Sequence, residues 1–439
     1  MKLFILLTAF CCASLAAKAQ EIKTNFKFDF GSGKVAKGYR QVLATDVFAN
    51  EIGYGFDFAT TVTDVNNKGK NALKCDGVTS DKPFYFSVKL PEGNYKVTVT
   101  LGNSKKATAA TIKAESRRLM LENVTTKAGE FVTQTFIVNI KDKQINATEK
   151  VSLKPRENGK LDWDDRLTLE FDLNPTIAGL EIEKVNNQIT VYLAGNSTVV
   201  NQDDEPWAAW GQMIPRFFKP GVAIANHAES GLTLGSFLGS KRLQKILSII
   251  KPGDYLFVEF GHNDQKEKGP NDGAWKSYTE RMKLFIGEAK KKGAIPVVVT
   301  STARRNFDST GHNANSLGDY PAAARKAALD EGVAMIDLNE MSTKFYEALG
   351  AEASKKALVH YPANTFPGQD KLLADNTHFN PYGAYELAKC IVEGIKLNKL
   401  GLAKFLVDAP PFNPSYPDAI ESFYWPQSPR AATVKPDGN

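Results

Sequence analysis

A serine, a glycine, an asparagine and an Asp/His pair follow one another along this chain, each in a setting that suits acyl transfer. They are Ser197 in ITVYLAGNST, Gly231 in NHAESGLTLGS, Asn263 in YLFVEFGHND, and Asp375 with His378 in LLADNTHFNPYG. A serine hydroxyl becomes a nucleophile when a neutral imidazole takes its proton, and a carboxylate on the other ring nitrogen fixes the tautomer this requires. The Asn263 side-chain amide is a donor of the kind that stabilises a tetrahedral oxyanion. Taken singly, each has a plainer reading: Ser197 and Thr198 as a helix cap, Gly231 and Asn263 as turn residues, Asp375 and His378 as a surface pair in a short loop. Their joint occurrence favours the chemical reading.

Other residues qualify less well. His227 and His262 adjoin these motifs without so well placed a carboxylate, although Asp264 follows His262 by two residues, and His312 and His360 lie in polar loops. There is no HExxH and no Cys/His ligand spacing, so no metal or other cofactor is expected. A GxSxG elbow is absent, and the SIIK run at 248–251 lies in a helical apolar pattern. Trp207 and Trp210 offer a platform for a sugar face, but their spacing with Met213, Ile214 and Phe217 equally suits a helix packed in the core. Arg304 and Arg305 follow the strand-like IPVVVTS and read either as a uronate contact or as structural ion pairs.

Positioning such a set calls for a scaffold, and the 439 residues suggest two domains. From about residue 25 to 185 the chain reads as short strands: FKFDFGSG, FYFSVKLPEGNYKVTVTLGN, FVTQTFIVNIKD, VSLKPREN, RLTLEFDL and IAGLEIEKV. This predicts a β-sandwich over 20–185, with a hairpin turning at Pro91–Asn94. After the polar joint Asn186, Asn187 and Gln188, buried-type strands (ITVYLAG, DYLFVEFG, IPVVVTS, AMIDL) alternate with helical segments (WAAWGQMIPRFF, LGSFLGSKRLQKILSII, WKSYTERMKLFIGEAKKKG, PAAARKAALDEG, NPYGAYELAKCIVEGIKL). That is a three-layer α/β domain over 188–408 with a mainly parallel sheet, whose ligands bind beyond the strands' carboxyl ends. Ser197 and Asn263 both fall there. The Pro-rich stretch 409–439 is expected to run over the surface.

The first 19 residues, ending Ala17-Lys18-Ala19, read as a cleaved secretory signal, which places the mature protein in the periplasm or outside the cell. Cleavage removes Lys2 and Lys18 and takes the formal charge from +6 to +4, too little to argue for nucleic acid. No later apolar run is long enough to span a bilayer. Cys75 and Cys390 remain, expected as two buried thiols in different domains rather than as a disulfide. Nothing in the sequence sets the oligomeric state.

The ordered set GNST, Gly231, GHND and DNTH resembles the blocks of the SGNH (GDSL-type) hydrolases. The strings WGQMIPRFF, FGHNDQKEKGP and LGDYPAAARKAA are similar to rhamnogalacturonan acetylesterases within that superfamily. The likeness covers about residues 188–400. The N-terminal segment, from NFKFDFGSG to LTLEFDLNPTIAGLEIEKV, is similar to the galactose-binding-like sandwich that often precedes such domains. The resemblance implies Ser197 as nucleophile, His378 as base and then acid, Asp375 as its orienter, and Ser197, Gly231 and Asn263 as the oxyanion hole. It further implies deacetylation of a plant cell-wall polysaccharide, with rhamnogalacturonan (pectin) ahead of acetylated xylan or another glycan. A non-catalytic glycan-binding protein is the rival class, and no triad residue is missing to favour it. Asn196 departs from the usual Gly-Asp-Ser, and Leu232 stands where many pectin-directed relatives carry arginine.

Overall fold

The computed structural model describes residues 23–429; the expected signal peptide and the last ten residues lie outside the described residues. Two sheets form the N-terminal sandwich, antiparallel except for the parallel edge pair Phe26–Phe30 and Arg40–Val42. One runs Phe131–Ile140, Gly93–Gly102, Thr176–Val185, Phe26–Phe30, Arg40–Val42, with Asp76–Thr79 and Thr63–Asn66 attached; the other runs Tyr54–Asp57, Phe84–Lys89, Arg166–Asn174, Thr108–Ala114, Arg118–Thr126. Alternation along these strands turns one face of each sheet inward, where Phe28, Phe30, Phe56, Phe84, Phe86 and Phe171 fill the core.

Two expectations fail here. Pro91–Asn94 is not a hairpin turn, because Phe84–Lys89 and Gly93–Gly102 belong to opposite sheets. Leu90 N–H stays with its own sheet by donating to Asp165 O (3.0 Å), and the chain then crosses over. Period-2 patterning fits a sheet-to-sheet crossover as well as a hairpin. The VSLKPREN run forms no strand. It is irregular with one 3₁₀ turn at Pro155–Glu157, and Ser152 N–H donates to Ser240 O in the second domain at 3.0 Å.

The second domain carries a five-stranded, all-parallel sheet ordered Val222–Asn226, Ile189–Gly195, Tyr255–Glu259, Ile295–Val299, Ala334–Ile336. Connections leave the Ile189–Gly195 strand first to one side and then to the other, so the topological switch point lies beside its carboxyl end. Helices cover both faces: Leu234–Gly239, Arg242–Ile249, Thr279–Lys291 and Tyr320–Glu331 pack with one core cluster, and Leu338–Ala353 and Pro381–Leu397 with the other. Pro215 limits the first expected helix to one α turn, Trp210–Met213, followed by the 3₁₀ turn Ile214–Phe217. Lys241, at φ 62°, splits the next segment into two helices. Leu338–Ala353 is a helix not among those expected.

The described part of the tail lies over both domains. Trp425 Nε1 and Ser428 N–H donate to Glu205 Oε1 (2.7 and 3.1 Å), while Lys113 of the sandwich donates to Pro426 O (2.7 Å). Cys390 is buried, whereas Cys75 is only half-buried at the edge of the sandwich, and neither is in a disulfide. No helix among the described residues is long and apolar enough to cross a membrane.

Candidate active site

The sheet register brings the first three motifs to one edge. Gly195 pairs with Glu259, and Leu193 with Asn226, so the loops carrying Ser197, Asn263 and Gly231 leave three adjacent strands. Ser197 begins a tight turn in which Val199 and Val200 N–H both donate to Asn196 O (3.1 and 3.0 Å). Only glycine fits before it: a Cβ at Gly195 would lie 2.5 Å from Val199 Cγ2. The Asn196 side chain holds the turn through Oδ1, which accepts from Thr198 N–H (3.1 Å) and Thr198 Oγ1 (3.0 Å). Those are acceptor tasks that an aspartate also performs, which explains why asparagine is tolerated there. Its Nδ2 finds no hydrogen-bond partner among the described residues.

Gly231 adopts φ +76°, a left-handed conformation that favours glycine. The segment leading to it is pinned to the first strand, with His227 N–H on Leu193 O (2.9 Å) and Glu229 N–H on Gly195 O (3.3 Å). Asn263 donates one amide hydrogen to Leu232 O at 3.1 Å and accepts from Lys266 Nζ at 3.3 Å, which fixes the orientation of the amide. Leu232 therefore serves through its carbonyl, while its side chain is buried in the core. Asp264 closes the same turn by accepting from Gly261 N–H and Leu234 N–H, both at 2.9 Å; burial pushes its carboxyl up to about 7.

Asp375 and His378 lie on a strand, Leu373–Phe379, and not in a loop. The strand ends at Asn380, whose side chain caps the helix Pro381–Leu397. Asp375 Oδ1 accepts from Thr377 and His378 N–H (2.8 and 3.1 Å), and Oδ2 meets His378 Nδ1 at 2.8 Å. Burial raises the Asp375 carboxyl, but the bond to and charge of His378 and the two backbone donors outweigh it and hold it at about 2. With Nδ1–H committed to the carboxylate, Nε2 is the basic nitrogen. The imidazole is buried, and Trp207 packs edge-on against it (5.9 Å between centroids). Ala208 N–H donates to Phe379 O (2.9 Å), tying the nucleophile loop to this strand.

Of the expected substrate contacts, Trp210 is excluded. It is 1% exposed, and its Nε1 donates to Glu259 Oε2 at 2.5 Å inside the core. Arg305 is occupied structurally, on Ser354 Oγ (3.1 Å), Asn376 Oδ1 (3.2 Å) and Ala351 O, and so braces the strand of Asp375. Arg304 stays half-buried at the site, donating to His262 O (3.2 Å) within the field of Asp375. His227 and His262 are wholly buried, and burial depresses both well below the usual histidine range, so neither is a base.

Sequence reasoning missed Glu259. Buried behind the nucleophile turn, it bonds Thr198 Oγ1 (2.8 Å), Trp210 Nε1 and Thr302 N–H (3.3 Å). Burial raises it to about 7. A carboxylate closing the otherwise apolar run YLFVE was the available signal. Glu229, two residues before Gly231, was missed as well.

Residues 193–384 match the family model of GDSL-like lipases/acylhydrolases, and residues 26–152 match that of the galactose-binding domain-like region of β-agarase/YXIM esterase-like proteins. The rhamnogalacturonan acetylesterase RhgT of Bacillus subtilis is 42% identical over 221 residues, 50% of this chain and 94% of that protein. A second Bacillus subtilis relative, named uncharacterized esterase YxiM, is 30% identical over 417 residues, 92% of this chain and 98% of that one. The chain belongs to the GDSL-like lipase/acylhydrolase family. It is thus an ester hydrolase whose GDSL-type domain follows a galactose-binding-like sandwich. The candidate residues Ser197, Gly231, Asn263, Asp375 and His378 all lie within the matched span of this GDSL-type domain.

Proposed function

We propose that this protein removes O-acetyl groups from a plant cell-wall polysaccharide, with rhamnogalacturonan as the favoured substrate, through an acetyl-enzyme on Ser197. The observation that carries the mechanism is the buried Asp375–His378 pair at 2.8 Å, packed against Trp207 at the edge where Ser197, Gly231 and Asn263 emerge. His378 Nε2 takes the Ser197 hydroxyl proton as Oγ attacks the acetyl carbon. The oxyanion is met by the Ser197 and Gly231 N–H groups and by Asn263 Nδ2. The imidazolium returns the proton to the departing sugar oxygen. Water, deprotonated by the same nitrogen, then releases acetate and restores the serine. The substrate follows the relative named rhamnogalacturonan acetylesterase. Arg304, half-buried and bonded to the Gln265 amide oxygen (2.6 and 2.9 Å) and His262 O (3.2 Å), would have to exchange one of these partners to meet a uronate. The N-terminal 19 residues direct the chain across the inner membrane and are then removed.

The test is acetate release from acetylated rhamnogalacturonan and acetylated xylan, side by side, by the mature protein and by Ser197→Ala. Release from the pectic polymer, cut by roughly 10³-fold or more in the variant, is the expected result. Unchanged turnover in Ser197→Ala would sink the serine mechanism, and preference for xylan would move the substrate.

A further inference from the structure

We propose that Lys154, Arg156 and Lys160 of the N-terminal domain are positioning residues for the oxyanion loop, so that the esterase site is complete only when the sandwich is docked behind it. The inference rests on the assignment of Gly231 as an oxyanion donor.

The backbone of residues 227–231 follows the edge strand Val222–Asn226, and its His227 ring, Glu229 carboxylate and Ser230 carbonyl face the sandwich domain. There one short stretch of the sandwich domain grips it. Arg156 reaches Glu229 Oε1 through Nε (3.0 Å) and Nη2, and Lys160 Nζ reaches Oε2 (3.2 Å). Lys154 Nζ donates to Ser230 O at 2.7 Å, directly before Gly231. Glu157 Oε2 accepts from Arg242 Nη2 (2.5 Å), whose Nη1 donates to His227 O (3.2 Å). Glu229 is 1% exposed, so the acceptor side of these bonds is shielded from solvent although Arg156 is partly exposed, and charge-assisted bonds to a buried carboxylate are strong and exacting in geometry.

Lys160 also holds the neighbouring loop. Its Nζ pairs with Asp203 Oδ2 (2.7 Å), whose other oxygen accepts from Ser116 Oγ (2.5 Å). Gln202 Nε2, beside Asp203, donates to Ser197 O at 3.2 Å. A single ammonium from the sandwich therefore sets the spacing between the nucleophile loop and the oxyanion loop. An error of about 1 Å in such spacing costs on the order of 10²-fold in rate, with little effect on ground-state binding.

The experiment compares full-length wild type, Lys160→Met, Lys160→Arg, Arg156→Met and Ser197→Ala, with Glu122→Gln as control. Glu122 makes a cross-domain pair far from these loops, with Arg216 Nε (3.1 Å) and Tyr385 Oη (2.8 Å). The readouts are kcat and KM on p-nitrophenyl acetate, corrected for folded fraction, and Tm. Expected is a loss in kcat of roughly 10- to 100-fold for Lys160→Met and a smaller loss for Arg156→Met, with KM within about twofold. Lys160→Arg should recover most of the rate, and Glu122→Gln should lower Tm while leaving kcat unchanged. Equal kcat in Lys160→Met and Glu122→Gln overturns the inference. If Lys160→Met does not fold, the partly exposed Arg156→Met decides by the same criterion. Because Ser197→Ala is scored separately, failure of the clamp and failure of the serine assignment give different results.

Discussion

The interior of the sandwich and the centre of the seam between the domains are both buried, yet they are built from opposite chemistry. Inside the sandwich, phenylalanines pack ring to ring: Phe86 meets Phe28, Phe30 and Phe56 at 5.3, 5.2 and 5.4 Å between centroids. In the seam, Arg117, Lys141, Lys160 and Arg242 are paired with Glu205, Asp162, Asp203 and Glu157. Apolar burial stabilises in proportion to area and tolerates small shifts in orientation. A buried ion pair adds little net stability because desolvation offsets attraction, but it is strongly destabilised when one partner is lost or misplaced. The first kind of interior makes the sandwich fold, and the second fixes the one way it sits on the GDSL-type domain.

The largest expected effect tests the apolar half. Phe86→Ala should cost about 3–5 kcal/mol of stability, read by urea unfolding, because the ring is 1% exposed and central to the cluster. The kcat of the molecules that remain folded should not change, since this core touches neither catalytic loop. A parallel fall in kcat would erase the distinction between the two regions.

Next comes the charged half. Lys141 Nζ bonds Asp162 Oδ2 (3.0 Å) and Asn226 O (2.5 Å), and lies 4.5 Å from the centroid of the Trp163 ring. Lys141→Met should cost about 3 kcal/mol by removing the main charge that compensates the Asp162 carboxylate, which keeps only Arg118 and the Asn201 amide (2.8 Å). The double variant Lys141→Met/Asp162→Asn should lose clearly less than the sum of the two single changes. Strict additivity, measured by the same unfolding experiment, would mean that the pair is not coupled and that the seam is not ionic in the sense argued above.

The same contrast explains what could be read from the sequence. Strands whose apolar residues alternate or run unbroken, such as FKFDF and ITVYLAG, announce themselves by pattern, and so did the motif residues at the strand ends. Asp375 and His378 were legible as a pair because they are local, three residues apart, although their strand was read as a loop. The seam was illegible because its partners lie far apart in sequence, as with Lys160 and Glu229, and each alone resembles an ordinary surface charge. VSLKPREN was misread for the same reason: its polar groups satisfy another domain, not a neighbouring strand. For Trp210 the spacing allowed a sugar platform or a core helix, and its Nε1 on Glu259, a buried carboxylate that no local pattern predicts, decides for the core.

Glu259 provides the subtlest test, because it is buried like the seam carboxylates, while the influences that bear on it are burial and hydrogen bonds rather than a paired cation. Raised to about 7 from an ordinary 4.5, it is protonated in the folded protein across a range where the unfolded chain has released the proton. Folding then takes up a proton, so stability is fully present below about pH 4.5 and is lost as pH rises through about 7, by roughly 3 kcal/mol at most. Asp164 and Asp264, also at about 7, and Asp29, at about 6, contribute slopes of the same sign. Glu259→Gln keeps an acceptor for Trp210 Nε1 and cannot ionise, although its amide nitrogen replaces the Oε1 acceptor used by Thr198 Oγ1 and Thr302 N–H. It should flatten, without abolishing, the fall in stability between pH 4.5 and 7, measured by urea unfolding at a series of pH values. An unchanged slope would show that Glu259 is ionised in the folded protein throughout, held like the carboxylates of the seam.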